Sequence, residues 1–233
     1  MFLIIPISWL LNIYVLSHRL SYTHWITVMG HVWLLYYYVS LALRENILRV
    51  NGSRIMSWWI VHHYISASTS VVMLTWPFTS VHEGLMPAFT AFFFFQAVVM
   101  QLQAFYQKSR HYSLVAQGKA TSMDVANPEG LREYNTTGLL VVLVALLAGT
   151  YAFQFFLSYS LLDAALSHPD LNLWRNPVFY TQELQVVFVG VAFAILAVGN
   201  SITLIRTVAD KCLRKRAELG KGGRGAASDD AKA

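Results

Sequence analysis

Cysteine is almost missing from this chain: one residue in 233, Cys212, set in a basic segment near the C-terminal end. That excludes an intramolecular disulfide framework and a cysteine-rich metal centre. Charge is also scarce, with 12% of residues charged against 56% hydrophobic, a balance outside that of ordinary soluble domains. There is no Gly-rich phosphate loop of the Walker type, no internal repeat and no sustained heptad run. Walker-type nucleotide binding, solenoid architecture and a coiled coil within these residues therefore have no support, and nothing points to nucleic acid as a partner.

What is present is long and apolar. Six stretches stand out: Phe2 to Val15, Thr23 to Leu43, Trp58 to Trp76, Ala88 to Tyr106, Gly138 to Tyr159 and Leu184 to Ile205. Most have the roughly 20 residues a bilayer-spanning helix needs. The first is shorter and carries Pro6. No basic residue precedes Phe2, as a signal peptide would require, and a start inside a longer protein also accounts for the abrupt beginning. The composition and these runs predict an all-α polytopic membrane protein with six transmembrane helices over residues 1–212, followed by a basic, mostly disordered tail over 213–233.

The formal net charge of +5 is distributed unevenly. Three basic residues lie between Arg44 and Arg54, four between Lys108 and Arg132, and eight from Arg206 onward. Only Arg19 and Arg175 fall in the alternate gaps. The positive-inside rule then places both termini and the second and fourth connections in the cytosol. The sequons at Asn51 and Asn135 lie on that side and are expected to be unused, with Asn51-Gly52 as a turn and Ser53 as the cap of the third span.

Three polar stripes interrupt the apolar runs. On the third span Trp59, His62, His63, Ser66, Ser70 and Met73 fall within about one third of a helical circumference. On the fourth, Gln96, Gln103 and Gln107 share a face. On the sixth, Asn200, Thr203, Thr207 and Lys211 align. Such groups at bilayer depth need protein or water to face them, so the three stripes predict one cavity open to the cytosol. A plainer reading stands beside this one. Glutamine, serine and asparagine serve as hydrogen-bonding glue between membrane helices, and the tryptophans and Tyr36 to Tyr38 fit an interfacial belt. The paired histidines fit glue less well, because they titrate. A metal site lacks carboxylate partners, since Glu83 lies at the opposite membrane end and Asp124 in a loop.

These residues resemble the TACAN, or transmembrane protein 120 (TMPIT-like), family. The resemblance is carried by Leu-Arg-Glu-Asn-Ile-Leu before Asn51, by Trp58-Trp59 with His62-His63-Tyr64, and by Val72-Met73-Leu74-Thr75-Trp76-Pro77. Further pieces are Gln96 to Gln107, Thr121-Ser122-Met123-Asp124 and Gly199-Asn200 with Thr203-Leu204-Ile205-Arg206. The resemblance implies a six-helix barrel similar to that of fatty acid elongases, holding coenzyme A or acyl-CoA in a cytosol-facing cavity. It also implies a homodimer in the endoplasmic reticulum or nuclear envelope membrane. Trp59 stands where elongases place the first histidine of His-x-x-His-His, so elongase chemistry does not carry over as it stands. By the same resemblance Trp59 would stack on adenine, and His62, His63 and Met73 would line the cavity. Gln103, Gln107 and Asn200 would supply polar contacts, and Lys211 would pair with a phosphate. Two features depart from the family: Leu184 and Val189 replace a Trp and a Cys, and no coiled coil precedes the first span in these residues.

Three functions follow as expectations. The first is coenzyme A binding in lipid metabolism; if a reaction is catalysed, His62 or His63 is the base or nucleophile. The second is an ion channel, a role proposed for the family, for which the sequence offers no acidic ring and no filter-like repeat. The third is a membrane scaffold, which needs only the helices.

Overall fold

The structure, a computed structural model, describes residues 20–53, 55–76, 80–116, 118, 137–167 and 181–230. Five helices make up the described secondary structure: α1 (Leu20–Val50), α2 (Ser57–Thr75), α3 (Ser80–Ala116), α4 (Thr137–Ser167) and α5 (Thr181–Asp230). The all-α expectation holds among these residues. The first apolar stretch, Phe2 to Val15, lies outside them, as do Asn135 and Asp124.

Among the described residues three helices are long and apolar enough to cross a membrane, over His82–Ser109, Leu140–Ser167 and Leu184–Leu213. The expected second and third spans are helical too, within α1 and α2. Tyr, Trp, His and Ser interrupt their apolar stretches, so neither has an unbroken apolar segment like those of the other three. A 19-residue helix such as α2 is still roughly 28 Å long, close to the thickness of a hydrocarbon core.

Local chemistry explains the helix ends. α1 closes at the expected Asn51-Gly52 turn, where Gly52 takes φ of 88° and the Ser53 amide returns to the Leu48 carbonyl at 3.0 Å. Glycine enters that left-handed region without a Cβ penalty. Ser53 does not cap the next helix as expected. Met56 holds the N-cap position of α2 without a side-chain cap, because the chain leaves the turn extended before winding up again. At its other end α2 stops at Trp76, with ψ of 123°, as the steric demand of the following Pro77 requires. α5 runs on past the membrane-length segment to Asp230, through residues expected to form a disordered tail. Its stretch Cys212 to Leu219 is rich in Leu, Arg, Lys, Ala and Glu, which favour helix, whereas the glycines beyond do not.

The helices form a ring in the order α1, α2, α5, α4, α3. Backbone packing is most extensive between α4 and α5, then α1 and α2, with α3 on α4 and α2 on α5. Side chains close the ring between α3 and α1, where Gln96 Nε2 donates to Tyr38 Oη at 3.2 Å and the His31 and Phe93 rings meet edge to face at 5.9 Å. The register is antiparallel between α2 and α5: Trp58 reaches Asn200 at one end, and Gln185 reaches Thr75 at the other. α1, α3 and α5 therefore run one way, and α2 and α4 the other.

This alternation gives the ring two unlike ends. At one, Met73 and Trp76 of α2 pack with Phe89 and Phe92 of α3, Leu157, Leu161 and Ala165 of α4, and Val186, Val189 and Phe193 of α5. Aromatic rings interlock there edge to face, as between Phe92 and Phe193 at 5.6 Å and Phe92 and Phe153 at 5.5 Å. In lipid such packing, rather than expulsion of water, holds helices together. Ser158 Oγ adds a buried hydrogen bond to the Gly190 carbonyl at 2.8 Å, joining α4 to α5. The other end gathers the C-terminal parts of α1, α3 and α5 with the N-terminal part of α2. It carries exposed Arg44, Arg49, Lys108 and Arg206.

Candidate functional site at the polar end of the ring

The polar end is built from α2 outward. Its buried face holds Ile60, His63, Ser66, Ala67, Thr69, Ser70 and Met73, while Trp58, Trp59 and His62 are half-buried at the N-terminal turns. The predicted stripe is real, and its parts serve different ends. Ser70 donates to the Ser66 carbonyl one turn back at 2.9 Å, a bond within its own helix. Met73 lies roughly 20 Å along the axis from Trp59 and belongs to the apolar core.

His62 and His63 sit at the centre. The two rings meet edge-on at 5.1 Å, and His62 also meets Trp59 at 5.7 Å and Trp58 at 6.4 Å. His63 Nε2 lies 3.1 Å from Glu45 Oε1 of α1, with Tyr38 beside it at 6.1 Å between ring centres. Glu45 is the carboxylate that the sequence reading did not find. It stands two turns past Tyr38 on the buried face of α1, just beyond the apolar stretch ending at Leu43. Its neighbour Asn46 donates both to the Ala42 carbonyl at 2.7 Å and to Tyr64 Oη at 2.9 Å, tying α1 to α2.

α5 enters through Gly199 and Asn200. The Trp58 indole donates from Nε1 to Asn200 Oδ1 at 3.1 Å, and its six-membered ring lies over Gly199. A Cβ at Gly199 would fall inside that ring, so only glycine permits this crossing. Asn200 is buried and also neighbours His62 as a hydrogen-bonding partner. Of the adjacent tryptophans, it is Trp58 that bridges to α5, while Trp59 keeps its contact with His62.

The remaining predicted residues are spread further out. Gln96 reaches Tyr38, as described, whereas Gln103 is half-buried and Gln107 exposed along the same helix toward the basic end. Thr203 and Thr207 donate to carbonyls of their own helix, both at 2.8 Å. Lys211, half-buried, stands about three turns beyond Asn200. The structure thus joins Trp59, His62, His63 and Asn200 in one cluster. It places Gln103, Gln107 and Lys211 further along their helices toward the same end.

Three buried polar atoms of this cluster have no protein partner: His62 Nδ1, His63 Nδ1 and Glu45 Oε2. Unmet buried groups of this kind are costly. Among the described residues no group of three or more His, Cys, Asp or Glu side chains is arranged to hold a metal ion. At the far end two further histidines, His31 and His82, are buried, with His82 edge-on to Trp76 at 5.3 Å. Neither belonged to the predicted site.

Comparison with known proteins is specific. A family model described as TMEM120A/B matches residues 2–215. The chain is 35% identical over 183 residues to transmembrane protein 120B of Homo sapiens, covering 78% of this chain and 50% of that protein. It is 34% identical over 188 residues to the Bos taurus protein of the same name, covering 81% and 52%. It is 37% identical over 182 residues to a transmembrane protein 120 homolog of Dictyostelium discoideum, covering 77% and 47%. The chain spans about half the length of the curated relatives it matches.

Proposed function

The chain belongs to the TMEM120A/B family, and from that premise we propose that it binds coenzyme A or an acyl-CoA between its helices at the polar end of the ring. The observation carrying this reading is the trio of unpartnered buried atoms, His62 Nδ1, His63 Nδ1 and Glu45 Oε2, beside two indoles and near four exposed basic residues. The residues fit such a ligand by chemistry. Amides of a pantetheine arm can donate to a carboxylate oxygen and to an imidazole lone pair. A purine suits the indole of Trp59, since Trp58 is already committed to Gly199 and Asn200. The phosphates belong with the basic helix ends, Lys211 among them, and away from Glu45. Gln103 and Gln107 lie on the way to that end, and Met73 would be met only by a ligand long enough to reach the apolar core.

The wider arrangement belongs to the same proposal: six spans in an elongase-like barrel, both termini cytosolic, and a homodimer in the endoplasmic reticulum or nuclear envelope membrane. Lipid metabolism is the process such a ligand serves. If an acyl group is transferred, His62 or His63 is the base or nucleophile. Coenzyme A when bound supplies an activated thioester or a free thiol, and the protein's part is to bind, orient and exclude water.

The test is direct. Protein purified in mild detergent is denatured, and the released small molecules are identified by mass spectrometry for wild type and Trp59→Ala. Coenzyme A or an acyl-CoA released by wild type and lost in the variant is the expected result. Its absence from both, even after incubation with added coenzyme A, would overturn the reading.

A further inference from the structure

Glu45 has no role in any expectation above, yet its carboxylate meets the histidine pair at His63 Nε2. We propose that Glu45 is the positioning residue of this site: it takes the Nε2 proton of His63 in a hydrogen bond and so presents His63 Nδ1 as a lone-pair acceptor for a donor on the ligand. The proposal rests on the coenzyme A reading above. The donor is an amide N–H of the pantetheine arm or its terminal S–H.

Hydrogen-bonding capacity decides where the proton sits. His63 Nε2 and Glu45 Oε1 are 3.1 Å apart, so one proton lies between them. Were that proton on the carboxyl group, a neutral His63 would carry its other proton on Nδ1. That atom is buried and has no acceptor. A doubly protonated ring would leave the same N–H stranded with a charge added. With the proton on Nε2, Nδ1 carries only a lone pair, which is cheaper to leave unmet and is ready for a donor. Glu45 is also the more exposed partner, at 21% of its side-chain surface against 10% for His63. A carboxylate that fixes the tautomer and orientation of a functional histidine is a recurrent arrangement in sites of this chemistry.

The test uses the full chain, labelled with 15N-histidine, in detergent micelles or nanodiscs, with His63→Gln identifying the His63 signals. In wild type the ring should be protonated at Nε2 and bare at Nδ1, and added coenzyme A should shift the Nδ1 resonance. Glu45→Gln keeps an acceptor and should retain both properties. Glu45→Ala should mix the tautomers and weaken coenzyme A binding by roughly tenfold or more. Elution volume and thermal unfolding show that each variant is folded, and should Glu45→Ala fail to fold, Glu45→Leu, which keeps bulk and removes the acceptor, carries the comparison with the same expected mixing of tautomers. A proton found on Nδ1, a tautomer unmoved in Glu45→Ala, or coenzyme A bound without any shift at Nδ1 would each overturn the proposal and leave the binding reading standing. Coenzyme A that fails to bind wild type would sink the binding reading, and this assignment with it.

Discussion

The two ends of the ring are made from the same helices and solve opposite problems. At the apolar end Phe89, Phe92, Leu157, Leu161, Val186 and Val189 are buried against one another, and Phe92 meets Phe153 and Phe193 edge to face. At the polar end side chains of comparable size meet through single hydrogen bonds, and three buried polar atoms find no protein partner. The difference teaches where stability and chemistry reside. Gln154 Oε1 and Gln185 Oε1 are buried without a protein partner at the apolar end as well, so the contrast is one of setting: there such atoms are scattered among packed rings, and at the polar end they converge on one histidine pair.

The strongest way to break this division is to empty the closed end. Phe92→Ala should lower stability by about 3–5 kcal/mol, measured by unfolding in detergent, with coenzyme A retention falling only as the fold is lost. Next in size is overfilling the crossing at the polar end. Gly199→Ala should cost about 1–3 kcal/mol, and Trp58→Phe in the same chain should recover part of it by thinning the ring above. A smaller effect is expected from Asn200→Ala, about 1 kcal/mol. A double-mutant cycle with Trp58→Phe should show coupling between the two, because each loses the other's partner. The smallest is Tyr38→Phe at the seam between α1 and α3, about 0.6 kcal/mol, the usual worth of a hydrogen bond between membrane helices. A loss at Tyr38 as large as that at Phe92 would abolish the distinction between the two ends.

Angular position was legible in the sequence, and height along the axis was not. The 100° rule placed Trp59, His62, His63, Ser66, Ser70 and Met73 on one face, and His63, Ser66, Ser70 and Met73 are indeed buried. It said nothing of where the interior changes from polar to packed, which depends on Phe89, Phe92 and Phe193 arriving from other helices. Met73 therefore shares the stripe of the histidines and sits in the core. Trp58 and Trp59 differ by one residue, and choosing between them required the position of α5, set by the absence of a side chain at Gly199. Glu45 escaped because helix and apolar run were given one boundary, whereas α1 continues to Val50, past the apolar stretch. Charge alternation grouped the connections, and the antiparallel register brings Arg44, Arg49, Lys108 and Arg206 to one end of the ring. The tail reading relied on composition alone, and from Cys212 to Leu219 helix formers adjoining an established helix prolong it.

The crossing of Trp58 over Gly199 also constrains how this chain can diverge. The two positions occupy one shared volume, so a lineage can enlarge residue 199 only after residue 58 has become smaller. Substitutions taken in the other order pass through an overfilled bundle. Distant parts of the gene are thereby bound to a fixed sequence of change, with the indole as the first move.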